Sequence, residues 1–130
     1  IPEITLNDIN EEPFMVGDIP VQPIKVWHLH MPVQGFRFGN FTYITDANRI
    51  NDDQKELIRG GEALVLNALR KEKHISHFTL EEAIEVVQEL KIPTAYFTHM
   101  SHQIGLHAEI EAELPDNIHL AYDGLELDFK

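Results

Sequence analysis

Several predicted strands of this chain end at side chains that can bind a metal ion or transfer a proton. Three of these strands end at His28, Asp46 and His99, and His77 lies in the loop that follows a fourth predicted strand. If these strands lie side by side with the same polarity, all four side chains reach one rim of the sheet, as ligands do at the carboxyl ends of strands. Imidazoles and a carboxylate from separate strands suit Zn, Mn or Fe. The pattern therefore predicts a metal or acid/base site at that rim.

Each of these residues also has a simpler structural interpretation. A single histidine at a strand end, such as His28 or His99, is commonly a polar cap whose ring bonds a backbone carbonyl. Asp46 precedes Ala-Asn and could form an Asx turn. His77 could be a surface polar group, and its place just before a helix-capping sequence would also let it donate to an anion at that helix N-terminus. The joint pattern favours a shared site more strongly than any single member does.

Other catalytic signatures are missing from the sequence. There is no Gly-rich phosphate loop, nucleophile elbow or zinc-protease helix motif, and serine is almost absent. Nucleophilic serine catalysis is therefore disfavoured relative to metal-activated water. His28 and His30 form a His-x-His pair, but Pro32 and Val33 stand where Asp-His would complete a dinuclear metal signature. We therefore expect His30 to be a rim or solvent residue.

The elements that must position these residues follow from apolar periodicity, capping sequences and turn residues. The predicted strands lie at 3–9, 13–17, 19–28, 34–38, 41–45, 63–69, 95–98, 118–122 and 125–129. The predicted helices lie at 53–59, 79–90 and 107–114. Gly39-Asn40 and Asp123-Gly124 predict tight hairpin turns, and the first two strands are expected to pair as a hairpin. The order predicts an antiparallel start followed by strand-helix alternation.

Composition limits the class of protein. A chain of 130 residues with 43% hydrophobic residues predicts a single domain, 1–130, with a real core. The formal net charge of -12 disfavours binding to nucleic acid, since phosphate backbones are held by basic surfaces. The chain has no cysteine, so any metal must be held by histidine and carboxylate, and a reducing, cytoplasmic location is expected. No apolar run is long enough to span a membrane.

Seven segments, in combination and in this order, carry a family resemblance from about residue 19 onward. They are VWH (26–28), QGFRFG (34–39), YITD (43–46), LVLNALR (64–70), SHFTLEEA (76–83), YFTHMSH (96–102) and AYDGLE (121–126). The chain resembles the C-terminal half of metallo-β-lactamase-fold hydrolases. It is most similar to the phosphodiesterase branch that includes the phosphoribosyl cyclic phosphate phosphodiesterase, and more remotely to tRNA 3'-processing nucleases.

The resemblance implies an α+β fold and a dinuclear Zn or Mn site. The fold would be one βα half of a four-layer αββα sandwich, a mixed sheet with helices on one face. His28, Asp46 and His99 would be metal ligands, with Asp46 bridging two divalent ions. His77 would be the catalytic histidine that contacts the phosphoryl group or helps the leaving oxygen depart, and His102 would orient a ligand or the substrate. A hydroxide held between the ions would attack phosphorus.

The family's His-x-His-x-Asp-His motif occurs nowhere in this sequence. The chain is therefore interpreted as a C-terminal half that lacks an N-terminal half carrying that motif. We expect this piece alone to bind metal weakly or not at all and to be inactive. Its inner sheet face, normally covered by the other half, would expose apolar surface and favour a homodimer.

The sequence thus predicts a metal-dependent phosphodiesterase, or half of one, acting on a small phosphate ester, with cyclic esters among the candidate substrates. One alternative is a binding or structural module without catalysis, in which the histidines are hydrogen-bonded strand caps. Another alternative is a hydrolase of the same fold that processes RNA ends. The acidic charge and the lack of a basic arm both count against that alternative.

Overall fold

The structure, a computed structural model, describes residues 1–73, 76–101 and 104–129. The described residues form one seven-stranded sheet, in which the strands follow chain order, and three α-helices. The strands are β1 (Phe14–Val16), β2 (Ile19–His28), β3 (Met31–Phe38), β4 (Phe41–Tyr43), β5 (Ala63–Asn67), β6 (Thr94–Thr98) and β7 (Ile118–Leu120). The helices are α1 (Asp52–Ile58), α2 (Leu80–Leu90) and α3 (His107–Glu113).

The sheet is mixed, and its polarity decides where the strand ends meet. Neighbours from β1 to β4 are antiparallel, whereas neighbours from β4 to β7 are parallel. Because β2 and β4 are both antiparallel to β3, β2 runs in the same direction as β4 to β7. The carboxyl ends of these strands therefore share one rim. The predicted α+β class and the predicted polarity are both confirmed.

The core lies between one face of the sheet and the helices. Leu64, Leu66, Ala95 and Phe97, which alternate along β5 and β6, are fully buried. The apolar side of α2 belongs to the same cluster and comprises Leu80, Ala83, Val86, Val87 and Leu90. Thr79 and Glu82 form a capping box at the start of α2, so two of the unpaired N–H groups there are satisfied locally. This local signal explains why the helix was predicted almost to the residue.

The segment 44–50 connects β4 to α1 and carries Asp46. It leaves the sheet beside β5, where the Ile44 N–H donates to the Val65 carbonyl oxygen at 2.9 Å. It then reaches the free edge of β2, where the Trp27 N–H donates to the Arg49 carbonyl oxygen at 3.0 Å. The segment is thus anchored on β5 at one end and on β2 at the other, which fixes Asp46 between those strands.

The predicted terminal hairpins are wrong. Residues 1–13, all of which the structure describes, form no strand, and β1 instead pairs with β2 around the two-residue turn Gly17-Asp18. Gly17 takes a φ of 60°, which glycine adopts without strain. Residues 121–129 are also described and contain no strand. They cross the sheet face instead, where Phe129 stacks on Phe41 with ring centroids 4.6 Å apart.

Other boundaries of strands and helices also differ from the predictions by one to three residues. β3 begins at Met31 rather than at residue 34, because Leu29 adopts a left-handed φ of 60° and closes a two-residue turn with His30. β4 ends at Tyr43, two residues earlier than predicted. In the part of the chain that the structure describes, no helix has the length and apolar character needed to cross a membrane.

Candidate metal centre

Three imidazoles and one carboxylate meet at the shared rim. Asp46 Oδ1 lies 3.2 Å from His77 Nε2 and 3.2 Å from His99 Nε2. The His77 ring stacks on the His99 ring at a centroid distance of 4.9 Å and meets the His28 ring edge-on at 4.8 Å. The structure therefore brings together all four of the described residues that the sequence singled out.

The backbone at the strand ends is bent to deliver these side chains. Asp46 and His99 both have left-handed backbone, with φ of 59° and 60°. Left-handed backbone is uncommon for residues other than glycine, although aspartate and histidine adopt it more often than most. Left-handed residues of this kind concentrate at ligand-binding and catalytic sites. The geometry of Asp46 and His99 is consistent with such a site.

Asn67, at the carboxyl end of β5, holds the turn that carries Asp46. Its side chain is fully buried, accepts from the Ala47 N–H at 2.9 Å and donates to the Ala47 carbonyl oxygen at 2.8 Å. The Asn67 amide thus fixes the backbone of Ala47, the residue that follows Asp46. Sequence reasoning missed this role, although an asparagine closing an apolar strand was a usable signal, since buried polar groups need partners.

His77 is positioned from both of its sides. The next residue, Phe78, donates its N–H to the Ala47 carbonyl oxygen at 2.9 Å, so the two loops that carry His77 and Asp46 are tied together. Ser76 Oγ lies 3.0 Å from His77 Nδ1. Both ring contacts are satisfied when Ser76 donates to Nδ1 and the proton on Nε2 is directed at Asp46. The ring is therefore held in one orientation.

The electrostatics of the cluster favour a neutral His77 ring. Burial lowers the pKa of His77, the hydrogen bond to Asp46 opposes that effect, and the nearby His99 and His28 rings lower the pKa further. The net pKa lies below the ordinary value of 6.5. A neutral imidazole is the form that binds metals and donates a single N–H.

The donor set fits a divalent transition metal. His28, Asp46 and His77 each offer one ligand atom, and these atoms lie within 4.8 Å of one another. His99 joins the group through its contact with the same Asp46 oxygen. Imidazole nitrogen with carboxylate oxygen is the chemistry preferred by Zn and by Mn or Fe, not by Ca.

The remaining histidines fall outside this cluster or outside the described residues. His102, predicted to orient a ligand or the substrate, is not among the described residues. His30 is exposed on the turn after β2, as expected. The sequence assigned no role to His107 and His119. At the β7 edge, His107 Nε2 lies 3.4 Å from the Leu120 carbonyl oxygen and His119 Nδ1 lies 2.9 Å from Glu111 Oε1.

The sheet and the imidazole-carboxylate cluster at its rim define an α+β protein with a candidate metal centre. The family described as the Beta-lactamase superfamily domain matches residues 2–100, and the chain belongs to this family. The family is one of hydrolases, so membership supports a hydrolase in general terms.

Solved structures confirm the metallo-β-lactamase fold. A structure described as a new diphosphatase from the PhnP family is 37% identical, with a TM-score of 0.91 over 94% of this chain and 48% of its own. Zn(2+)-bound PqqB from Methylobacterium extorquens is 19% identical, with a TM-score of 0.65 over 92% of this chain and 54% of its own, and shows the fold alone. The predicted resemblance is confirmed, and the chain spans about half the length of these two proteins.

A curated relative carries a different name. The octanoyltransferase of Porphyromonas gingivalis (strain ATCC BAA-308 / W83) is 36% identical over 115 residues, which make up 88% of this chain and 23% of that protein. The similarity is therefore confined to less than a quarter of the octanoyltransferase.

Proposed function

We propose that the protein containing this chain is a metal-dependent hydrolase of a small phosphate ester, with His28, Asp46 and His99 as metal ligands and His77 as the group that contacts the phosphoryl oxygens. The observation that carries the proposal is the convergence of His77 and His99 on one Asp46 oxygen, each at 3.2 Å. Imidazole nitrogen and carboxylate oxygen from His28, Asp46 and His99 would hold a divalent ion such as Zn or Mn.

A divalent ion bound here would supply Lewis-acid stabilisation of the charge that develops on a phosphoryl oxygen during hydrolysis. The surrounding chain carries a net charge of -12, so an anionic substrate depends on local positive charge. The Nε2–H of neutral His77, which is directed at Asp46 in this structure, is the donor that would turn to a phosphoryl oxygen or to the departing oxygen of a bound substrate. Because Asp46 and the histidines are already fixed in position, the site need not rearrange as charge develops on the substrate.

The second candidate is hydrolysis of a diphosphate, and the 37% identity to a diphosphatase favours it. Both reactions break a bond between phosphorus and oxygen, so the same cluster serves either. Octanoyl transfer is not proposed for this chain, because the similarity covers only 23% of the protein that bears that name. Assays with both kinds of substrate distinguish hydrolysis of an ester from hydrolysis of a diphosphate.

The test is hydrolysis by the full-length protein loaded with Zn or Mn. Bis(p-nitrophenyl) phosphate reports phosphodiester cleavage, and adenosine diphosphate reports cleavage between two phosphates. We expect turnover of at least one of them that is lost with a chelator and restored by metal. Metal-independent turnover, or none with either substrate, would contradict the proposal.

A further inference from the structure

Side-chain amides bond the edge of β2 that faces away from β3 at two points. Gln54, on α1, accepts from the Lys25 N–H through Oε1 at 2.8 Å. Asn48 accepts from the Leu29 N–H through Oδ1 at 3.0 Å. Leu29 directly follows His28, whereas Lys25 lies three residues before it. The two amides therefore make the same kind of bond, one beside a candidate metal ligand and the other farther along the strand.

Asn48 holds the backbone on both sides of His28. Its own N–H donates to the Trp27 carbonyl oxygen at 2.8 Å, and its side chain accepts from the Leu29 N–H. The Trp27 carbonyl belongs to the peptide unit before His28, and the Leu29 N–H belongs to the peptide unit after it. Because these two units fix the His28 Cα, the single residue Asn48 determines where the His28 imidazole is attached.

The turn that follows His28 needs such support. Leu29 is the first of the two residues that join β2 to β3, and it has a left-handed φ of 60°. Two-residue turns with this conformation prefer glycine at that position, and a bulky residue there is an outlier. Strained residues persist where the surrounding structure holds them. The Asn48 oxygen supplies such a contact, so we expect its loss to let the turn relax and His28 to shift with it.

Asn48 also connects His28 to Asp46. It lies two residues after Asp46, and the Ala47 backbone between them is bonded to the Asn67 side chain. The ligand atoms of His28 and Asp46 lie within 4.8 Å of each other. A stretch of three residues, 46–48, thus joins the carboxylate to the strand end that carries the imidazole. The separation of the two ligand atoms depends on the contact of Asn48 with β2.

We propose that Asn48 is a positioning residue of the candidate metal centre, which holds His28 at the distance from Asp46 that a divalent ion requires. The proposal rests on the proposed function, because it takes His28 and Asp46 as metal ligands. Asn48 acts through the backbone of His28. Removal of a group that orients a metal ligand typically lowers metal affinity by about 10–100-fold.

The test is the Zn affinity of the full-length protein, measured by competition with a chromophoric chelator. We expect Asn48→Ala to weaken Zn binding about tenfold or more. Asn48→Asp, which keeps an oxygen acceptor for the Leu29 N–H, should bind Zn with near wild-type affinity. Gln54→Ala is the matched control, because it removes the same kind of bond from Lys25, about 10 Å along the strand from His28. It should leave Zn affinity unchanged.

A double-mutant cycle separates an effect through His28 from a general loss of stability. If Asn48 acts through His28, adding Asn48→Ala to His28→Ala should cause almost no further loss of Zn affinity, whereas independent effects would add. Where His28→Ala binds Zn too weakly for the cycle, the contrast between Asn48→Ala and Gln54→Ala decides the question.

Three results would overturn the proposal while leaving the proposed function intact. They are wild-type Zn affinity in Asn48→Ala, equal losses in Asn48→Ala and Gln54→Ala, and full additivity of Asn48→Ala with His28→Ala. A loss in Asn48→Asp as large as that in Asn48→Ala would also count against it, because the acceptor is retained. Absence of metal binding by the wild-type full-length protein would instead defeat the proposed function.

Discussion

Asp46 is the residue on which the candidate centre depends, because one of its oxygens is shared by two imidazoles. His28, Asp46 and His77 have ligand atoms within 4.8 Å of one another, whereas the family resemblance makes His99 the ligand and His77 the catalytic group. Burial separates the two histidines, since the His77 side chain is 11% exposed and that of His99 is 42% exposed. Either could complete a metal site, so the assignment calls for a measurement.

Substitution of the two histidines separates ligand from catalytic group. In the full-length protein, we expect His99→Ala to lose metal and activity together, because a ligand is removed. His77→Ala should retain metal and lower turnover by about 10²–10⁴-fold, the range for a lost general acid or base. Metal content by mass spectrometry and turnover are measured on the same samples, with His30→Ala as the exposed control. Loss of metal in His77→Ala with retention in His99→Ala would reverse the two roles.

Asn67 acts on the centre through the backbone. We expect Asn67→Ala to destabilise the protein by about 1–3 kcal/mol, because it leaves the buried Ala47 N–H without its partner, whereas the Ala47 carbonyl oxygen keeps the Phe78 N–H. Thr42→Val is the matched contrast, since the Thr42 hydroxyl is fully buried and has no hydrogen-bond partner within the described residues. Replacing that hydroxyl with a methyl group should be neutral or stabilising. Urea unfolding of both variants measures these changes in stability. An Asn67→Ala variant as stable as the wild type would show that the Asn67 amide does not stabilise the turn at Ala47.

At the scale of elements, α3 protects the open edge of the sheet. Leu120, on the edge strand β7, donates its N–H to Glu111 Oε2 at 2.7 Å, and its carbonyl oxygen lies 3.4 Å from His107 Nε2. Two side chains one turn apart on α3 therefore occupy the positions where a further strand would pair. His119 adds a contact of 2.9 Å to the other Glu111 oxygen.

This arrangement makes the edge sensitive to acid. Burial alone would raise the pKa of Glu111, but the Leu120 N–H and His119 outweigh it and hold the pKa below its ordinary value of 4.5. A depressed carboxyl pKa gives stability that is present above pH 4.5 and is lost as the pH falls through the folded-state value. We expect Glu111→Gln to remove this part of the acid dependence and to cost about 1 kcal/mol at neutral pH. Urea midpoints across the acid range measure it, with Glu109→Gln as the control, and an unchanged acid profile would contradict the assignment.

The elements that the sequence predicted well are those with strong local signals. The capping box at Thr79 and the apolar runs of β5 and β6 placed those elements within one or two residues. The sequence pattern does not predict the hairpin of β1 and β2, because Gly17, the first residue of its turn, falls inside the predicted strand 13–17. The four rim residues could be predicted because the strands that precede them run in the same direction and end at one rim, although hydrogen bonds between the loops then bring Asp46 and His77 into contact. The roles of Asn67 and Glu111 could not, because both depend on which backbone groups the tertiary fold leaves unpaired.

At the scale of the whole molecule, the two faces of the sheet are unequal. Helices cover one face, whereas the other is crossed only in part by residues 121–129 among those that the structure describes. Tyr43 is 44% exposed and Phe129 is 40% exposed on that side. Phe129 stacks on Phe41, so the covering segment is itself aromatic and incompletely buried. An apolar sheet face in this state favours association.

We expect the 130-residue chain, expressed alone, to self-associate through this face with a dependence on concentration. Tyr43→Glu should shift the equilibrium towards monomer, because a carboxylate buried in an apolar interface is costly unless it is paired. Sedimentation equilibrium over a range of concentrations measures the effect. Leu106→Glu, an exposed apolar residue at the start of α3, is the matched control and should leave association unchanged. A monomer at every concentration, or equal effects of the two variants, would show that this sheet face does not carry the contact, and the homodimer expected from the sequence would have to be abandoned.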